Sequence, residues 1–117
     1  MTVADAELVV AYEGPGSDDS LVGASQANFL VTRAGRARTE SAVFVNRPAA
    51  SYVLAELGWE ESPESRAAVA KLVGQVLLPR RAARVGRVEP LLMVSRATFD
   101  EDPALIEAVR SAAHAGL

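Results

Sequence analysis

The sequence contains no cysteine. That excludes a disulfide framework, thiolate metal sites and a cysteine nucleophile. Histidine is almost as scarce: His114, on the polar face of the last predicted helix, is the single one. A lone imidazole there reads as a solvated side chain, so neither a histidine-built metal site nor a histidine-based triad is expected. Aromatics make up only 5% of the residues, with Trp59 the sole tryptophan. No stretch approaches the roughly 18 apolar residues of a membrane span, and no membrane partner is expected. The opening MTVADAELVV has no basic segment ahead of an apolar run. This predicts no secretory signal, and a protein of the cytoplasm or of a particle assembled there.

Lysine is nearly missing as well. Of twelve basic residues only Lys71 is a lysine; the rest are arginines. Arginine offers a planar fork suited to bidentate pairing, but a bias toward Ala, Arg, Val and Gly is also what a GC-rich genome produces. A high-GC bacterium or its phage fits that composition.

What remains is an ordinary globular inventory. The chain has 117 residues, half of them apolar and 23% charged. That suffices for one domain spanning 1–117 that buries roughly two-thirds of its unfolded surface. AELVVAYE alternates: Leu8, Val10 and Tyr12 fall on one face, and Val9, Ala11 and Glu13 on the other. It reads as a half-buried strand. GPGSDDS follows and opens a flexible loop over 14–25. NFLVTR (28–33) and SAVFVN (41–46) form the next two strands, joined by a loose arginine-bearing connection.

Three helices are expected. Pro48 and Gly58 bracket a short one over 48–57. A longer one begins at Ser62, Pro63 and Glu64, which suit cap, first position and positive dipole end. Its apolar stripe runs through Val69, Leu72, Val73, Val76 and Leu77. Gly74 is an interior weak point costing about 1 kcal/mol against alanine, and Pro79 should stop or kink the helix. Leu91–Val94 is apolar on both faces and suits an inner strand, with Pro90 at its start. The last helix runs near 103–115, capped by Asp100 or Asp102. The expected fold is α+β: a small, mostly antiparallel sheet of about four strands with three helices packed on one face. Strand order is left open.

Charge is organised in blocks. Residues 1–30 carry five acids and no base, and 31–47 are basic through Arg33, Arg36, Arg38 and Arg47. Residues 48–65 hold acids alone, 66–99 are strongly basic, and 100–117 are acidic again. Such a bipolar surface pairs within the chain or across subunits, where charge complementarity sets register and partner choice. PRRAARVGR (79–87) concentrates Arg80, Arg81, Arg84 and Arg87 in one stretch. If Pro79 ends the long helix, they sit on a surface connection at its negative end.

Signatures of chemistry are missing. GPGSDDSLVG is neither a dinucleotide fingerprint nor a phosphate-binding loop. DEDP (100–103) lacks the spaced oxygens and central glycine of a calcium loop. No metal or cofactor is expected. Nucleic-acid binding wants a basic surface with aromatics, yet the net charge is −3 and no aromatic interleaves the arginines. The expectation is a non-enzymatic subunit that works by protein–protein contact with its own copies or a larger complex. Its contact residues would be Arg80, Arg81, Arg84, Arg87 and Trp59, with Arg33, Arg36 and Arg38 behind them. An anion- or nucleic-acid-binding module using the Arg80–Arg87 cluster is the alternative, and a small enzyme or ligand-binding domain with carboxylate chemistry the second.

Overall fold

The computed structural model describes residues 8–16, 25–33 and 37–115. Strict alternation builds the sheet. The first strand β1 (Leu8–Pro15), β2 (Ser25–Arg33) and β3 (Thr39–Val45) form an antiparallel meander. Every second side chain is turned to one face, and there Ala27, Phe29, Val31, Val43 and Val45 are fully buried. The chain then crosses over through α1 (Arg47–Leu57) and α2 (Pro63–Val85) and returns as β4 (Leu91–Val94), parallel to β3. The sheet order is β1-β2-β3-β4. Two further helices follow, α3 (Arg96–Glu101) and α4 (Ala104–His114). The class is α+β as expected, with a fourth helix added. Most of the predicted loop over 14–25 lies outside the described residues.

The helices start and stop where their local chemistry dictates. Asn46 caps α1 by accepting the Ala49 N–H at 3.0 Å, and Gly58 ends it in the left-handed region at φ 72°. At the start of α2, Ser62 Oγ accepts the Ser65 N–H at 3.0 Å while Ser65 Oγ accepts the Ser62 N–H at 2.7 Å. This reciprocal pair satisfies two amides that the first turn cannot bond.

Three expectations need correction. Pro79 does not end α2; the helix continues to Val85 and stops at Gly86, φ 84°. The local cost of the proline is outweighed downstream, where Ala82 is buried and Gly86 N donates to Ala82 O at 2.8 Å. The segment bearing Arg80, Arg81 and Arg84 is therefore the last turns of a helix, not a connection. Neither Asp100 nor Asp102 caps the last helix: α4 has no side-chain cap, and Leu105 N bonds the Asp102 backbone carbonyl instead. Finally, β4 is an edge strand, not an inner one.

The core lies between the sheet and α2, with α1 and α4 behind α2. Phe29 is its largest fully buried side chain. Its ring meets Tyr12 edge-on, centroids 5.6 Å apart, and lies against Gly74 of α2. A methyl built on Gly74 would stand 2.5 Å from Phe29 Cζ and nearer still to Cε1. The glycine is thus the seat of the Phe29 ring, which lets the helix approach the sheet closely. On the far side, Tyr52 of α1 packs edge-on against Phe99 of α3 at 5.3 Å, and the Arg96 guanidinium lies 3.8 Å over the Tyr52 ring.

Candidate interaction surface

Arg80, Arg81 and Arg84 project from the last turns of α2 beside β4, Arg87 follows just past its end, and the four divide into two pairs. Arg80 Nη2 lies 2.6 Å from Asp102 Oδ2, at the end of α3. Arg81 donates to Glu89 Oε1 from Nε at 3.0 Å and approaches it with Nη2 at 2.9 Å. Both guanidiniums are thus held by carboxylates of their own chain, and they fasten α2 to the segments flanking β4. Arg84 and Arg87 are exposed, and no ion pair engages either among the described residues.

Between the tail of α2, the edge of β4 and α3 lies an open groove of about 830 Å³. Buried Leu77, Leu92 and Leu105 line it, with Arg84 on the α2 side and Glu101 on the α3 side. Glu101 is exposed and, like Arg84, makes no ion pair among the described residues.

The backbone of β4 adds a second feature. Ala42 N bonds Pro90 O at 2.9 Å and Asn46 N bonds Val94 O at 3.0 Å. In a parallel ladder the peptide groups of alternate residues face the same neighbour. Pro90, Leu92 and Val94 therefore turn theirs toward β3, and Leu91 and Met93 turn their N–H and C=O away from it. No backbone group bonds those outward ones among the described residues. The other edge strand, β1, is protected differently: its pairing shifts between Tyr12 and Gly14, and Glu13 and Pro15 interrupt it. Irregularity, charge and proline are the usual guards of a sheet edge. Within Leu91–Val94 there are none.

Among the described residues, no element covers the sheet face away from the helices. Met93 is 68% exposed and Leu91 51%, with half-buried Phe44 next to Met93; Val9, 60% exposed, lies at the opposite edge of the sheet on β1. The register places Met93 next to Phe44 and Leu91 next to Ala42, so the apolar part of this face runs to the β4 edge.

The remaining predicted contact residues lie elsewhere. Trp59, just past α1, is 40% exposed, its backbone N–H bonded to Leu54 O. Arg33 closes β2 and donates to Gly86 O at 3.3 Å, beside a smaller hollow it shares with Arg87. Arg38 is exposed, and Arg36 lies outside the described residues. The structure thus gathers Arg80, Arg81 and Arg84 at the groove and leaves Trp59 and Arg38 apart from it. Sequence reasoning missed Leu91, Met93, Glu89, Glu101 and Asp102. The signal for the first two was present: a strand apolar on both faces.

A separate cluster joins α1 to the start of α2. Glu61 accepts from Ser51 Oγ at 2.9 Å and lies 3.3 Å from Arg47 Nε and 3.1 Å from Arg66 Nη1. The Ser51 hydroxyl first, then the charge of Arg47 and the hydrogen bond from Arg66, hold its carboxyl below the ordinary value of 4.5. A carboxylate with a depressed folded pKa stabilises above its unfolded value and stops doing so as the pH falls through the folded one. The expected result is a Glu61→Gln variant whose melting temperature falls less steeply than that of the wild type as the pH drops below 4.5. Thermal melts followed from neutral pH into acid check it; superimposable acid limbs would refute it.

Among the described residues, no three histidine, aspartate or glutamate side chains converge on a possible metal position, and no helix is long and apolar enough to cross a membrane. Comparison with protein-family models, with curated proteins and with solved structures finds no match.

Proposed function

We propose that this protein is a non-enzymatic subunit that works by protein–protein contact, assembling with copies of itself. The observation that supports it is the apolar part of the open sheet face at the β4 edge, where Met93 and Leu91 stand exposed beside Phe44 and Ala42. A sheet face rich in apolar side chains is normally covered by another layer, and contiguous exposed apolar patches mark interaction sites. Arg84 stands at the groove beside the β4 edge and makes no ion pair among the described residues. It supplies a polar rim of the kind that sets register and partner choice. The nucleic-acid reading has less support, because two of the four clustered guanidiniums are already neutralised by Asp102 and Glu89.

Mass in solution at low and high salt tests the reading. The expected result is an assembly heavier than one chain at low salt that shifts toward the monomer as salt screens the arginine contacts. A monomer under both conditions would refute it.

A further inference from the structure

We propose that the free edge of β4 pairs antiparallel with the β4 edge of a second copy, about a two-fold axis beside Leu92, so that one sheet runs through the dimer. The inference rests on the assembly reading above and names its surface and its partner. Four observations carry it. The outward N–H and C=O groups of Leu91 and Met93 are the pairing groups of an unfinished ladder. Centred on Leu92, antiparallel pairing sets Leu91 of each copy opposite the partner's Met93, and each such residue pair exchanges two backbone hydrogen bonds.

The side chains agree with that register. Leu91 and Met93 are the exposed apolar residues of β4, and they share the open face with Phe44. Across the axis they would form two apolar cross-strand pairs, the contact unit that stabilises a sheet. The sequence pattern agrees as well. Leu91–Val94 is composed as a strand with neighbours on every side, which is what the second copy would make it.

Charge then selects a second copy over a foreign strand. The groove along β4 holds two charged groups without an ion pair among the described residues, and they have opposite signs. Arg84 lies toward the end of α2, where the chain turns back to enter β4, and Glu101 belongs to the helix that follows β4. Antiparallel pairing brings the start of one β4 to the finish of the other. Arg84 of each copy therefore meets the partner's Glu101, and the contact is made twice, as a two-fold interface requires.

Sedimentation velocity over a concentration series tests this with four variants. Met93→Pro removes an outward N–H that the β3–β4 ladder does not use. It is expected to melt cooperatively and to sediment as a monomer where the wild type is a dimer. Arg84→Glu and Glu101→Arg are each expected to weaken the dimer by about tenfold, since each change breaks two symmetric pairs. The double variant, Arg84→Glu with Glu101→Arg, is expected to recover most of that loss, and it decides the matter even if Met93→Pro does not fold. An assembly undiminished in Arg84→Glu and in Met93→Pro would overturn edge pairing while leaving assembly as the function, made through another surface. A complex with a different co-purified polypeptide, lost in Met93→Pro, would overturn the second copy in favour of a foreign strand. A wild-type chain that is monomeric throughout would overturn both.

Discussion

Phe29→Ala is expected to destabilise the fold by about 3–5 kcal/mol. Phe29 is fully buried at the junction of β2, β1 and α2, so its removal leaves a cavity that neither Tyr12 nor the Gly74 backbone can fill. The more telling measurement is its coupling to Gly74. On helix propensity alone, Gly74→Ala should gain about 1 kcal/mol. With Phe29 in place the new methyl runs into the ring, and overpacking costs about 1–3 kcal/mol, so the variant should be less stable than the wild type. In the Phe29→Ala background the ring is gone, and Gly74→Ala should then stabilise. Denaturant unfolding of the four proteins checks the cycle. An alanine that stabilises in both backgrounds would mean that the helix and sheet do not touch at this point.

Pro79→Ala is expected to act in the opposite direction, raising stability by about 2 kcal/mol. Proline inside a helix costs about 3 kcal/mol, through a missing amide bond and a clash with the preceding turn. Part of the gain returns because alanine loosens the unfolded chain by about 0.4–1 kcal/mol. Pro79 stands in the interior of α2, with ordered helix on both sides, so the full penalty applies. For a domain near this size, each kcal/mol moves the melting temperature by about 4–8 °C. A melting temperature that is unchanged or lower would show that the tail of α2 depends on the proline for its placement over the groove.

The parts legible in the sequence were those decided within a few residues. Alternation through Leu8, Val10 and Tyr12 gave the inward face of β1, and Ser62–Pro63 gave the start of α2. Pro48 and Gly58 bound α1 by the same local chemistry. The failures share a cause, which is a distant contact overriding a local preference. Pro79 signals an end to the helix, but burial of Leu78 and Ala82 and the cap at Gly86 carry the chain past it. Asp102 has the form of a cap, yet its carboxylate is taken by Arg80, 22 residues earlier. The short helix α3 was missed because its signal, the Ser95–Thr98 box, spans a single turn inside a segment that already read as strand and cap.

The candidate surface was half legible. Composition and spacing picked out the arginine cluster, but nothing local distinguishes Arg80 and Arg81, which their own chain neutralises, from Arg84, which it leaves exposed. That division arises only when α3 and the turn before β4 are brought up against the helix. The apolar run Leu91–Val94 was seen, and its place at the edge was not. A strand buried on both faces and an edge strand awaiting a neighbour carry the same residues.

The parallel pairing of β3 with β4 also fixes a sequence of events at the ribosome. The meander closes through neighbouring segments, whereas Val45 waits for Val94 until both crossover helices have been made. At a synthesis rate of about 5–20 residues per second, that interval lasts several seconds. Throughout it the unfinished side of β3, with Ala42, Phe44 and Asn46, stands open to whatever nascent chain is nearby. The last strand to arrive is therefore also the one whose delay sets the time available for misassembly.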